Sequence, residues 1–425
     1  MRTPLTLCCL ALALSARLAA AEPLPPEDRT LYYYAEWSWA VGTMHLGAPL
    51  KFKDGAILVF PSQISDLLWA PNGTKPRNVM LVYEVAADDK DKPFFQDKDV
   101  IFAPLRLLPD HSYWRDNLPN TRRHEVAGGR RYAFRGDDIP EVRRVLAAYL
   151  TAHDRRGMDR WTGQVEAVAD GLLSPVGVVR EDSVHWFAVY PTLARDFDDK
   201  ALASVTKFLD LPAAPEAEKA ALIDALTEAK LASVKPALDA LSSRDDATGA
   251  AALLGLQRLG ETIAADRLLS LSKARSAEVR AYAAEALGER AGKDPACRAR
   301  AIDMLDAAKE DVPVREAAAR GLGASGDAAA FTALVQAVGR GDGASRAAAM
   351  ALATGPAPGA GKALSSILVD KDGEAAIAAA TALGRMKNCP ECVATLREQR
   401  TAHRDASVRN LIGVVLEVPV VHKHL

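Results

Sequence analysis

Cys389-Pro390-Glu391-Cys392 is the stretch of this chain whose residue types and spacing most directly permit chemistry. Two thiols three positions apart can close a disulfide or exchange one, and a thiol at a helix N-terminus ionises more readily than a free one. Pro390 stands where the first helical position would fall, which suits its missing N–H. No thioredoxin-like βαβ pattern surrounds the pair, and Val393 occupies the place where haem attachment requires His. No second ligand pair stands nearby to complete a zinc site. Two readings remain, a local disulfide that staples a turn or a redox dithiol, and the surroundings suit the first better.

Other constellations are fragments. Gly359-Ala360-Gly361-Lys362 resembles part of a phosphate loop, but Pro356 takes the first glycine position and Ala363 replaces Ser or Thr. It reads as a joint that shortens a helix. Asp370-Lys371-Asp372-Gly373 has two acids at calcium-loop spacing, but Thr381 falls where the bidentate carboxylate belongs. Neither G-x-S-x-G nor H-E-x-x-H occurs, and the eight histidines are scattered, with His422 and His424 in a tail at 419–425. The expectation is a chain with no catalytic residues, no cofactor and no metal.

Two features suit binding. Tyr32, Tyr33, Tyr34, Trp37 and Trp39 form an aromatic strip, and an extended strand would show Tyr33, Trp37 and Trp39 on one face. Such a face stacks sugars or grips a partner, or it fills the core of a small barrel, and the second reading is the simpler one. Between Arg122 and Arg160 stand ten arginines against six acids. With Tyr132, Phe134 and Tyr149 interleaved, this suits an anionic polymer, or it is a solvated face tied by internal ion pairs, which is preferred. Net charge of −2 gives no push toward nucleic acid or anionic membrane, and no nucleic-acid partner is expected.

The elements that carry these residues differ along the chain. Of 25 aromatic residues, only Tyr282 and Phe331 lie beyond residue 210. Phe187 and the leucines at 226, 259, 287, 322, 352, 383 and 416 recur at gaps of 39, 33, 28, 35, 30, 31 and 33 residues, a period that means a stacked array. Around Leu287 stands Ser276-Ala277-Glu278-Val279-Arg280, and around Leu322 stands Asp311-Val312-Pro313-Val314-Arg315. Asp405-Ala406-Ser407-Val408-Arg409 precedes Leu416. Each Val lies eight residues before its Leu, on one helix face. Ser276, Asp311 and Asp405 stand at N-cap positions. Gly288, Gly323 and Gly384 follow a rung leucine and read as left-handed C-caps.

The loose signature Val-Arg-x-x-Ala-Ala-x-x-x-Leu-Gly, with its Asp or Ser cap, resembles HEAT-type repeats of the short, alanine-rich, phycobilisome lyase-like kind. The resemblance covers about residues 160–418 and implies an all-α solenoid whose usual business is binding other proteins. Lyase members handle bilins, but nothing here marks a bilin site. Iron-binding relatives carry paired His-Glu motifs, and this chain has one, His124-Glu125, outside the repeats. Arg280, Arg315 and Arg409 recur in register on the second helices, where they line the inner surface or tie to an acid of a neighbouring repeat; the second role is preferred.

The front of the chain is not recognised. Strand-like runs at Ala56–Phe60, Val79–Val85, Val100–Ala103 and Arg131–Phe134, with Leu31–Val41 before them and the turn dipeptide Asn72-Gly73 among them, predict a small antiparallel β domain, a barrel of OB-like form. Helical patterning begins at Pro140. The expected organisation is α+β: a signal peptide at 1–21, a β-rich domain at 22–136, a helical junction or first repeat at 137–212, and the solenoid at 213–418. Arg2, the apolar run Leu5–Leu14 and Ala19-Ala20-Ala21 carry the export reading, against a short buried helix; Cys8 and Cys9 lack a lipobox. No later segment is long and apolar enough to span a bilayer. The expected function is a periplasmic or secreted, non-catalytic scaffold for protein partners. The alternatives are a redox component using Cys389 and Cys392, or a binder of carbohydrate through the β domain.

Overall fold

The computed structural model describes Pro25, residues 28–86, Asp89, residues 93–109, 117–118, 121–192, 197–356, 358–387 and 389–417. The signal-peptide and tail readings lie outside these residues. The chain divides into two compact units, Met1–Val234 and Lys235–Leu425.

Among its described residues the first unit has six strands: β1 (Ala40–Leu46), β2 (Leu50–Phe52), β3 (Ile57–Trp69), β4 (Asn78–Glu84), β5 (Val100–Leu107) and β6 (Arg123–Val126). They run in the order β1-β5-β6-β4-β3-β2, and β1 pairs with β3 as well, so five strands close a barrel and β2 lies as a flap on β3. Every pairing is antiparallel except β4 with β6. Leaving out β2, the closed order is first-second-third-fifth-fourth, with third and fifth parallel, which is the OB-type Greek key. β3 serves both seams because it is long: its first half pairs with β2 and β4, and its second half turns onto β1 through register shifts at Val41/Gly42 and Thr43/Met44. Gly42 permits that turn, since a Cβ there would lie 2.8 Å from the Asp66 carbonyl oxygen. Asn72 and Gly73, both at positive φ, join β3 to β4 as the dipeptide predicts.

Two expectations for this region are corrected. Leu31–Glu36 is a helix, α1, and not a strand. Thr30 caps it, and Leu31, Tyr32 and Ala35 bury one helical face, which overrides the β preference of three successive tyrosines. Residues 129–132 form a 3-10 turn, and only Phe134 bridges to Phe102. The closing strand is instead the polar Arg123–Val126. Helices α2 (Asp138–His153), α3 (Met158–Gly171), α4 (Gly177–Val189), α5 (Asp199–Asp210) and α6 (Glu216–Glu228) complete the described α-helices of the unit.

The described residues of the second unit form six helix pairs: α7 (Lys235–Leu241) with α8 (Ala247–Arg258), α9 (Ala265–Leu271) with α10 (Ala277–Glu289), α11 (Pro295–Asp306) with α12 (Val312–Ser325), α13 (Ala328–Arg340) with α14 (Ser345–Thr354), α15 (Ala360–Asp370) with α16 (Gly373–Leu383), and α17 (Pro390–Ala402) with α18 (Ala406–Glu417). Val279 with Leu287 and Val314 with Leu322 are fully or almost fully buried, so the eight-residue spacing marks the inward face. Two rungs shift. Leu259 is the half-buried C-cap of α8, and Leu256 takes the core position; Leu416 is half-buried, and Ile412 is the inward residue of α18.

The glycines after the rungs are not left-handed caps. Gly288 and Gly323 lie inside their helices, and Gly384 is right-handed at φ −66°. Their role is close approach: a Cβ on Gly288 would sit 2.5 Å from the Leu322 nitrogen, and one on Gly321 would sit 2.1 Å from the Glu285 carbonyl oxygen. Second helices of successive pairs therefore touch backbone to backbone, as small residues allow. The left-handed cap of α12 is Gly326, three residues later.

Candidate functional site

In the first unit, α1 is held by groups far away in sequence. The Leu31 N–H donates to Asp182 Oδ2 on α4 at 2.5 Å, and the Tyr32 hydroxyl and Ser183 Oγ share a hydrogen bond of 2.7 Å. Arg131 donates to Asp182 Oδ1 and to Glu181, each at 3.0 Å. Burial raises the Asp182 pKa, with the Leu31 N–H, Tyr132 and Arg131 pulling the other way. The end of α1 carries the aromatic strip. Tyr33 is half-buried and stacks on Trp37 at 6.1 Å, and Trp37 is 66% exposed. Trp39 is apart from both, with its ring 4.1 Å from that of His124. The three do not share a strand face, because only Trp39 leads into β1. His124 is buried with no hydrogen-bond partner on either ring nitrogen among the described residues. Burial, with Arg122 adding, pushes its pKa down to about 4, so the imidazole is neutral at pH 7.

Beside Trp37 lies a polar cluster that no local sequence signal announced. Glu36 Oε1 accepts from Arg160 Nη2 at 2.7 Å and lies 3.1 Å from His153 Nδ1, and its Oε2 accepts from the Tyr149 hydroxyl at 3.1 Å. Burial works to raise the Glu36 pKa, but His153, Arg160 and Tyr149 outweigh it and hold the carboxylate ionised below its usual range. Arg160 also lies over the Trp161 ring, and Trp69 meets His153 edge-on. The cluster is a charge-satisfied anchor that joins α1, α2 and α3.

A cleft of about 650 Å³ opens on the barrel between β1, β3 and β4, lined by His45–Gly47, Pro61–Gln63, Asn78–Met80, Thr121 and Arg122. In OB-type barrels this face and its flanking loops take up extended ligands. No local signal marks the cleft in the sequence, because its lining comes from four separate segments.

The basic stretch is largely spent inside the unit. Arg130 pairs with Asp89, Arg135 with Asp99, Arg143 with Asp66, and Arg144 with Glu141. The arginines of the repeats are spent likewise. Arg280 donates to the carbonyls of Ala274 and Arg275 before its own helix, and to Glu310 and Asp311 of the next pair. Arg315, 6% exposed along its side chain, reaches Asp342 at 2.5 Å and the Leu305 carbonyl at 3.0 Å. Arg409, on α18, donates to the carbonyls of His403 and Arg404. Arg180 on α4 repeats the pattern inside the first unit, bonding the Ser174 carbonyl and Glu218. The in-register arginines thus work as struts. One further link accompanies them: Asp245 accepts from the backbone N–H groups of Arg275 and Ser276, one pair further on.

Cys389 and Cys392 form a disulfide at the start of α17, with Cys389 at the N-cap and Pro390 at the first helical position. Cys392 is fully buried and Cys389 nearly so, at 8% exposure. Burial raises the pKa of Cys297, the free thiol among the described residues, to about 11. Among the described residues no helix is long and apolar enough to cross a membrane.

A closed five-stranded barrel followed by stacked helix pairs defines an α+β chain with a HEAT-like solenoid. Residues 265–353 match the HEAT repeats family. No curated protein matches the chain. Among solved structures it is similar to human deoxyhypusine hydroxylase in complex with glycerol, at 19% identity over 60% of this chain and 94% of that one, with a TM-score of 0.26. It is also similar to an engineered protein, at 19% identity over 65% of this chain and 84% of that one, with a TM-score of 0.29. The fold assignment rests on the helix pairs and the family match, not on these two structures.

Proposed function

We propose that the chain is an exported, non-catalytic scaffold that binds protein partners through its helix pairs. The observation that carries this reading is the run of helix pairs that includes the HEAT match at 265–353. Arrays of this kind offer an extended surface built from many repeats. Because Arg280 and Arg315 are engaged by neighbouring acids, partner contacts fall to other exposed groups, among them Val312, Val369 and Val414. Export is supported by Arg2, the apolar run Leu5–Leu14 and the Ala19-Ala20-Ala21 site, and sequencing of the mature N-terminus is expected to read from Glu22. The binding reading is tested by lysine cross-linking of a complex captured from the envelope fraction. Cross-links are expected to concentrate between Lys235 and Lys387. Cross-links confined to the barrel would transfer the function to the β domain.

A second reading has one observation behind it: Trp37 is 66% exposed and backed by Tyr33, a platform fit for the face of a sugar ring. Titration with envelope glycans would then quench Trp fluorescence in the wild-type chain and leave Trp37→Ala unchanged. An equal response in both chains removes the reading.

A further inference from the structure

The joint between α15, α16 and α17 gathers three sulfur atoms. Cys389 and Cys392 open α17, and Met386, half-buried, lies in the segment before it with its Sδ 3.8 Å from Cys392 Sγ. The floor of this cluster is Gly361 on α15. A Cβ there would lie 2.9 Å from Cys392 Sγ, 3.1 Å from Cys389 Sγ and 3.6 Å from the Met386 methyl. A buried helical position is thus occupied by the one residue that leaves the sulfurs room. A disulfide alone uses two of the three.

We propose that the reduced form of this cluster is a binding site for a soft monovalent cation, Cu(I), with Cys389 Sγ, Cys392 Sγ and Met386 Sδ as ligands. Thiolate and thioether donors select Cu(I) over harder ions. A metal–sulfur bond of about 2.3 Å puts the corners of a trigonal plane about 4 Å apart, so the Met386–Cys392 separation already has the length of one edge. The cysteines' Cα atoms, 5.3 Å apart, let their sulfurs separate to a similar distance once the bond opens. The free N–H groups at the start of α17 favour both thiolates. Entry requires a dithiol reductant. It delivers two electrons and two protons, the Cys389–Cys392 bond breaks, and the donor leaves as its own disulfide. Cu(I) then displaces the two thiol protons. Glu391 offers a carboxylate oxygen within 4.8 Å of both cysteine sulfurs, but it is exposed and hard, and with it the site would favour Zn(II) instead.

The test uses the full chain carrying Cys8→Ser, Cys9→Ser and Cys297→Ser, so that only the pair contributes thiols. Reduced anaerobically, it is titrated with Cu(I) against a chromogenic Cu(I) chelator, and separately with Zn(II). One Cu(I) per chain is expected to be held, with none on the oxidised chain, and Zn(II) is not expected to displace it. Met386→Leu keeps the shape and removes the third sulfur. It is expected to weaken Cu(I) at least about tenfold, since even an outer-shell partner is worth that much. Glu391→Gln is expected to leave Cu(I) unaffected. Circular dichroism of each variant establishes that it is folded. Unchanged Cu(I) affinity in folded Met386→Leu, displacement of Cu(I) by Zn(II), or no Cu(I) retained by the reduced chain would each overturn the proposal.

Discussion

The barrel and the helix pairs of the second unit solve the same problem with opposite materials. In the barrel, strands distant in sequence must meet. β6 pairs with both β4 and β5, and Asp182, which accepts from the first N–H of α1, lies 151 residues beyond Leu31. Its core is aromatic and branched, with Phe60, Ile101 and Phe102 fully buried. In the second unit each helix pair meets its neighbours about 30 residues away, through alanine, glycine and a repeated Val–Leu pair. Repeats of this kind have energies that sum over nearest neighbours, whereas a closed barrel stands or falls as one. The difference is one of contact range, and it decides what a mutation at any point does.

The largest expected effect probes the array. Leu322→Ala in α12 is expected to cost about 2–5 kcal/mol in denaturant unfolding, because a fully buried leucine leaves a cavity. Arg320→Ala, on the exposed face of the same helix, is expected to cost no more than about 0.5 kcal/mol. If the two are equal, the Val–Leu register is not the core register. Next in size, Gly321→Ala sets a methyl against the Glu285 carbonyl. A loss of about 1–3 kcal/mol is expected from overpacking, although alanine is the better helix former. A gain in stability would show that the second helices do not approach backbone to backbone. Hydrogen exchange after Gly321→Ala is expected to rise in α10 and α12 together, whereas a response confined to one helix would contradict nearest-neighbour coupling.

On the barrel side, Tyr32→Phe removes the hydroxyl shared with Ser183 and should cost about 0.5–1.5 kcal/mol by thermal unfolding. No loss would mean that α1 is held by packing alone. The smallest effect is one of pH. Burial works to raise the Asp342 pKa, but Arg315, the Ala344 N–H and Arg340 together outweigh it, and the net shift is downward. A carboxylate with a lowered folded pKa contributes stability that is present above its unfolded value of about 4 and is lost as pH falls through the folded value. Asp342→Asn should therefore be less stable than wild type at pH 7, with the gap closing on acidification. Because Asp342 is about one-third exposed, solvent screening keeps the difference small. A gap that widens toward low pH would contradict the strut.

This contrast in range also explains what the sequence disclosed. The period, the Val–Leu faces and the Ser276 cap on the Val279 N–H are local, and they were legible. So were the starts of β3, β4 and β5 and the Asn72-Gly73 turn. α1 was not: Thr30 caps it locally, but Asp182, which holds the Leu31 N–H, and Ser183, which bonds Tyr32, come from another element entirely. Nor was β6: Arg-His-Glu-Val has no strand alternation of its own and is defined by partners on both sides. The arginine struts were legible in position, since Val-Arg recurs, and their acids became visible only when the pairs were stacked. Gly288 and Gly323 are ambiguous in the sequence because a glycine near a helix end fits either a left-handed cap or a close contact. Only the neighbouring helix distinguishes the two.

The parallel pairing of β6 with β4 has a consequence in time. A chain leaving the ribosome has β1 through β5 in hand by Leu107, yet the barrel cannot close until Val126 has emerged. Until then β4 and β5 present open edges, and open edges invite pairing with other chains. A helix pair waits only for its own short stretch of chain. The passage of the nascent chain is thus most hazardous early, between Leu107 and Val126. Any factor that shields the chain during synthesis or transit would act to greatest effect over that interval.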